Sequence, residues 1–212
     1  MQQVHWPAEE ALGPPKLMGP HGLAFPDHAS RTPVVFPSAE GKWRTVCVDG
    51  AWFPGERTWS SSVSAPQPSG VGVFWVDGPL LCMSESMCFP GSILPTCWGS
   101  VGAELAAICC ALLQVHALES AQLRHGSSSG DAYRILTDCA AAMHLLDHAQ
   151  KGHVKRLELR PLVFYVAEVL AAANTMARVE IHLVQGHQGV GNGNDMAHIL
   201  AHGAVSKHFE LK

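Results

Sequence analysis

The stretch RTVCVDG, residues 44–50, decides how the rest of the chain is read. Thr45, Val46, Cys47 and Val48 form a nearly continuous apolar run, the pattern of a strand buried on both faces. Asp49 and Gly50 follow directly. An acid after such a run either starts a turn or stands at the mouth of a sheet, where it meets other functional groups. The choice between the two rests on whether other acids converge on Asp49.

Working outward, residues 43–49 make the first strand and 51–69 a loop of Trp, Pro, Gly and Ser. The run 70–76, GVGVFWV, is a second strand, and 80–89 a third, joined to it by a tight turn at Asp77-Gly78-Pro79. Three strands with close connections predict an antiparallel meander. The period then changes: over 102–118, Leu105, Ile108, Cys109, Leu112, Leu113 and His116 fall on one helical face. A turn is expected at 127–130. YRILT, 133–137, is a fourth strand that again ends in an acid, Asp138. Residues 139–150 and 157–174 are helical, with Pro161 tolerated in a first turn. RVEIHLVQ, 178–185, alternates as a strand; a loop with four glycines spans 186–193, and 194–204 is a last helix. The order β-β-β-α-β-α-α-β-α predicts an α/β fold: a mixed five-stranded sheet, antiparallel then parallel, with helices on both faces. Sites in such sheets lie beyond the carboxyl ends of strands, where Asp49 and Asp138 both stand.

The 212 residues allow one domain of ordinary size plus a tail. We expect the domain at 43–212 and a poorly ordered Pro-, Gly- and His-rich leader or linker at 1–42, where GPPK, MGPHG and RTPVVFPS break any period. Hydrophobic residues make up 47% and charged residues 15%, enough apolar side chains for a sizeable core. A net charge of −4 argues against a binder that relies on clustered Lys and Arg. The seven cysteines include no CxxC pair, so a zinc module is not expected. Cys47, Cys109 and Cys110 lie in apolar runs, which predicts reduced thiols and an intracellular, nuclear or cytoplasmic setting. No secretory signal is visible, and no uninterrupted apolar run approaches the ~18 residues of a membrane span.

Glu104 begins the first long helix, where the helix dipole alone favours an acid, and Asp138 at a strand-to-helix junction reads singly as an N-cap. Together with Asp49 they form an ordered set: a strand-end Asp-Gly, a helix-start Glu, a strand-end Thr-Asp. Gathered carboxylates repel one another unless cations join them. Mg²⁺ prefers hard oxygen ligands, and two such ions can activate a water and stabilise the leaving oxygen at a phosphodiester.

VCVDGAW, GAELAAICCAL, ILTDCAAAM and VQGHQGVGNGNDMAHILA resemble the four signature blocks of type 1 ribonuclease H domains, including those carried by reverse-transcribing elements. The resemblance runs in order over about residues 43–206. It implies the RNase H-like fold and cleavage of the RNA strand of RNA–DNA hybrids with two Mg²⁺ ions, Mn²⁺ being the alternative. By position, it implies metal-binding roles for Asp49, Glu104 and Asp138, and a proton-handling and product-release role for the loop histidine, His187. It also implies an RNA–DNA hybrid and an upstream reverse-transcriptase domain as partners. Gly50 and Cys139, which follow Asp49 and Asp138, and Ser100, four residues before Glu104, are the candidates for substrate contact.

The chain departs from the family where the last block usually reads Gly-Asn-Glu-Xaa-Ala-Asp-Xaa-Leu-Ala. Here Asp195 stands for the Glu, and His198 replaces the final acid. Imidazole is a poorer ligand for Mg²⁺ than carboxylate and suits Mn²⁺ and softer ions. Asp195 and His198 are three apart and share a helical face, so both are carried forward as metal-ligand candidates. The basic insertion between the middle helices is reduced to Lys151, His153, Lys155 and Arg156, and Trp52, Phe53 and Trp59 occupy the region after Asp49. Two readings follow: an active hybrid endonuclease, or an RNase H-like module derived from a retroelement that has lost catalysis and serves binding or structure. A related exonuclease or integrase-like transferase is a third, against which the Gly-His-Xaa-Gly loop speaks.

Overall fold

The computed structural model describes residues 43–53, 68–89, 98–126, 131–186 and 193–210. The leader 1–42, most of the first loop with Trp59, the turn at 127–130 and most of the glycine loop with His187 lie outside the described residues.

Five strands form one sheet in the order β3-β2-β1-β4-β5. The first strand, β1 (Trp43–Trp52), pairs antiparallel with β2 (Ser69–Trp75), which pairs antiparallel with β3 (Glu85–Phe89). On its other side β1 runs parallel to β4 (Ala132–Thr137), and β4 runs parallel to β5 (Arg178–Leu183). The helices are α1 (Gly99–Arg124), α2 (Ala140–Gln150), α3 (Arg160–Asn174) and α4 (Gly193–Glu210). The mixed sheet with helices on both faces is the architecture expected from the sequence.

Alternation along β1 sets the two layers. Val46 and Val48 join the large core under α1, α2 and α3, whereas Ala51 packs with Ala201 and Val205 of α4 on the other face. The α4 side is closed by small residues. A Cβ at Gly70 or Gly72 would come within 2.0 Å of the Ala201 or Ala197 carbonyl oxygen, so the absence of side chains lets α4 lie against β2. Trp75 fills the opposite layer, fully buried, edge-on to Tyr133, with its indole N–H donating to Gln114 Oε1 at 2.7 Å. That bond satisfies the polar atom a buried Trp carries into a core.

Three boundaries differ from the sequence reading. The expected third strand at 80–89 begins as a 3₁₀ helix, Gly78–Met83, and only Glu85–Phe89 joins the sheet. Pro79 has no N–H for a ladder, the Leu80 and Ser84 amides donate to the Asp77 and Leu81 carbonyls, and Ser84 Oγ accepts the Trp75 amide at 3.0 Å. Second, β1 does not end at Asp49 but runs to Trp52, because β2 continues to pair with it as far as Trp52↔Ser69. Third, α1 extends for 26 residues and is long and apolar enough to cross a membrane by composition. Here 61% of its apolar 18-residue window is buried, the setting of a core helix.

Candidate metal and nuclease site

The parallel ladder between β1 and β4 ends at Cys47↔Leu136, while the antiparallel ladder with β2 carries β1 onward through Asp49↔Gly72. Asp49 therefore leaves the parallel half of the sheet just where its strand keeps going, and Asp138 lies one residue past the end of β4. The two acids meet at the carboxyl ends of the central parallel strands, where open α/β sheets place their sites.

Glu104 reaches the same point from α1. It lies in the second turn of the helix, one turn later than the sequence reading placed it, so a first-turn dipole role does not account for it. Gly50 brings it there: a Cβ on Gly50 would sit 2.3 Å from the Ala103 carbonyl carbon and the Glu104 nitrogen. The glycine is the point where helix backbone touches strand backbone. One carboxylate oxygen each from Asp49, Glu104 and Asp138 lies within 4.8 Å of the others.

Asp138 is not the cap of α2. The cap position is Cys139, without a side-chain capping bond, and the local bond is from the Cys139 amide to Thr137 Oγ1 at 3.2 Å. Asp138 instead accepts a bond from Asn194 Nδ2 of α4 at 3.1 Å. Gly186, just after β5, leaves room for this carboxylate; a Cβ there would be 2.5 Å from Asp138 Oδ2.

Electrostatics follow from the crowding. Asp49 and Glu104 are 5% and 7% exposed. Burial pushes the Glu104 carboxyl up to about 9, reinforced by the charges of Asp49 and Asp138 and by a hydrogen bond with Asp49. Glu104 Oε2 is buried with no hydrogen-bond partner. A buried carboxylate oxygen with no donor, beside two more carboxylates, fits a divalent cation, which would supply the missing partner and cancel the repulsion.

Of the two candidates for the fourth ligand, His198 turns to the cluster: its Nδ1 lies 2.9 Å from Asp49 Oδ2. Asp195 belongs to neither group of metal-ligating side chains among the described residues. Gly50 acts in helix–strand contact, Ser100 is exposed in the first turn of α1, and Cys139 is half-buried beside Asp138, where burial pushes its thiol up to about 11. His187 lies outside the described residues. Sequence reading missed Asn194 and His202. Asn194 is adjacent to Asp195, and His202 follows His198 by four residues, a spacing that could have flagged it.

No family model and no curated protein matches the chain. Among solved structures, the LC11 RNase H1 isolated from compost by a metagenomic approach superposes with a TM-score of 0.52 at 15% identity, over 79% of this chain and 99% of that one. RNase H1 from the archaeon Halobacterium salinarum gives 0.46 at 18% identity, over 78% and 98%. The protease–reverse transcriptase of prototype foamy virus gives 0.46 at 16%, over 76% of this chain and 20% of that one. The chain has the RNase H-like fold.

Proposed function

We propose that the chain is a ribonuclease H-type endonuclease that hydrolyses the RNA strand of RNA–DNA hybrids. The observation that carries this reading is the meeting of Asp49, Glu104 and Asp138 within 4.8 Å just beyond the end of the parallel β1–β4 ladder, with Glu104 Oε2 unsatisfied. These three side chains would hold divalent cations, with Mg²⁺ or Mn²⁺ as the ion and two as the expected number. Bound there, the ions would supply activation of a water and stabilisation of the leaving oxygen at a phosphodiester.

The protein's own residues do the positioning. Gly50 fixes the depth of Glu104, Gly186 admits Asp138, and Asn194 donates to Asp138 Oδ2. His187 is proposed to handle protons from the glycine loop, and an RNA–DNA hybrid is the proposed partner, with an upstream reverse-transcriptase domain as a second. A catalytically impaired, retroelement-derived module is favoured by a different observation: His198 bonds Asp49, so one of the cluster's oxygens is already engaged by a neutral or cationic side chain.

Hydrolysis of a labelled RNA–DNA hybrid, with Mg²⁺ and then Mn²⁺, tests both. The endonuclease reading expects cleavage of the RNA strand, lost by about 100-fold or more in Asp138→Asn with the fold intact. Absence of cleavage with either ion supports the impaired module.

A further inference from the structure

One turn beyond His198 on α4 stands His202, and the two rings lie 4.1 Å apart between centroids. Residues four apart share a helical face, and paired histidines at this spacing are a familiar way for one helix to hold a transition ion. Asp49 supplies a third donor: a ligand atom from each of Asp49, His198 and His202 lies within 4.8 Å of the others. We propose that these three residues form a second cation site, nitrogen-rich and distinct in selectivity from the three carboxylates, that takes a late first-row divalent ion such as Zn²⁺ or Co²⁺. The proposal deepens the site read above, because Asp49 belongs to both donor sets.

A lone Asp–His hydrogen bond would need no metal to explain it, since the carboxylate simply orients the ring. The second imidazole changes the donor set. Two imidazole nitrogens and one carboxylate match zinc, which binds nitrogen at about 2.0–2.1 Å and uses such sets with positions left open. Neutral imidazoles offer little to Mg²⁺, which demands hard oxygen and dehydrates reluctantly, whereas imidazole ranks well for Zn²⁺, Co²⁺ and Ni²⁺. The three donor atoms already lie within 4.8 Å of one another, and His202 is exposed. His202 and the 38% exposed His198 side chain also give the ion a path from solvent. The position at which the resemblance expects a fourth acid thus carries the first half of a histidine pair.

Cobalt uptake by the full chain, with Co²⁺ as the probe, tests the site. The wild type is expected to take up an ion with the d–d absorption of nitrogen and oxygen ligation and without thiolate charge-transfer bands. His202→Ala should weaken this ion by about tenfold or more, whereas Asp138→Asn should change it by less than about threefold. His202→Gln, with circular dichroism and melting on both variants, separates lost ligation from a perturbed helix. Cobalt binding by the His202 variants equal to the wild type overturns the proposal, and so does loss of the ion in Asp138→Asn to the same extent as in His202→Ala. Cleavage plays no part in the readout, so a chain that cuts no hybrid can still hold the ion, and one that cuts with Mg²⁺ can fail to.

Discussion

Asn194 and His198 show how two side chains of one helix treat the two strand-end acids differently. Asn194 donates an amide hydrogen to Asp138 Oδ2, while His198 engages Asp49 itself. Partners behind a metal ligand typically matter by 10–100-fold. Asn194→Ala should therefore lower Mg²⁺-supported hydrolysis by about tenfold while the fold, followed by circular dichroism, stays intact; unchanged turnover would leave Asn194 a packing residue only. His198→Asp restores an anionic oxygen donor at the expected fourth position. It should raise activity with Mg²⁺ and narrow the preference for Mn²⁺, since hard oxygen is what Mg²⁺ lacks there. The rival is Asp195, and Asp195→Asn should be nearly neutral because it stands outside both donor groups. A severe loss in Asp195→Asn beside a neutral His198→Asp would reverse the assignment.

Elements matter through the backbone contacts that aim these side chains. The Gly50 contact sets how far α1 comes down on β1, and hence where Glu104 ends. Gly50→Ala would force a methyl into the Ala103–Glu104 peptide, which neither rigid element can yield easily. Overpacking of this kind costs roughly 1–3 kcal/mol. We expect a loss of that size in urea unfolding together with reduced hydrolysis, and a variant with wild-type stability would show that α1 can slide. On the other face Gly70 and Gly72 play the same part for α4, and so fix the height of His198 above Asp49. The 3₁₀ helix Gly78–Met83 supports the opposite layer instead. It delivers Ser84 to the Trp75 amide and the Met83 carbonyl to Gln114, which holds the Trp75 indole.

For the whole molecule, the buried acids make stability depend on pH. Glu104, with its carboxyl pushed up to about 9 by burial and by its neighbours' charges, holds a proton that the unfolded chain gives up above the ordinary carboxylate range. The folded state then binds more protons, so this group's contribution is full below about pH 4.5 and is lost as pH rises toward about 9. The slope from one such group is at most about 1.4 kcal/mol per pH unit. Urea denaturation without divalent cations should show stability falling between about pH 6 and 8.5, and Glu104→Gln should flatten the fall. Identical slopes in the two proteins would mean that Glu104 ionises freely. Saturating Mg²⁺ should also flatten it, because a bound cation favours the ionised form.

Much of this was legible in the sequence. Apolar runs and periods depend on neighbours a few residues apart, so the strands, the helices and their order could be read from 43–49, 133–137 and 102–118. The strand-end character of Asp138 and the ordered set with Asp49 and Glu104 came the same way. Boundaries were less legible, because β1 runs to Trp52 by pairing with β2, and residues 80–83 form a 3₁₀ helix that opens on Pro79 instead of joining the sheet. Glu104 reads as a helix-start acid until Gly50 shows where α1 must touch the strand. The contacts of Asn194 with Asp138 and of His198 with Asp49 join residues 56 and 149 positions apart. Local pattern carries no signal over such distances. The sequence by itself determined which elements form and which acids they carry; the close packing of α1 and α4 on opposite faces of one sheet decided which of those side chains meet.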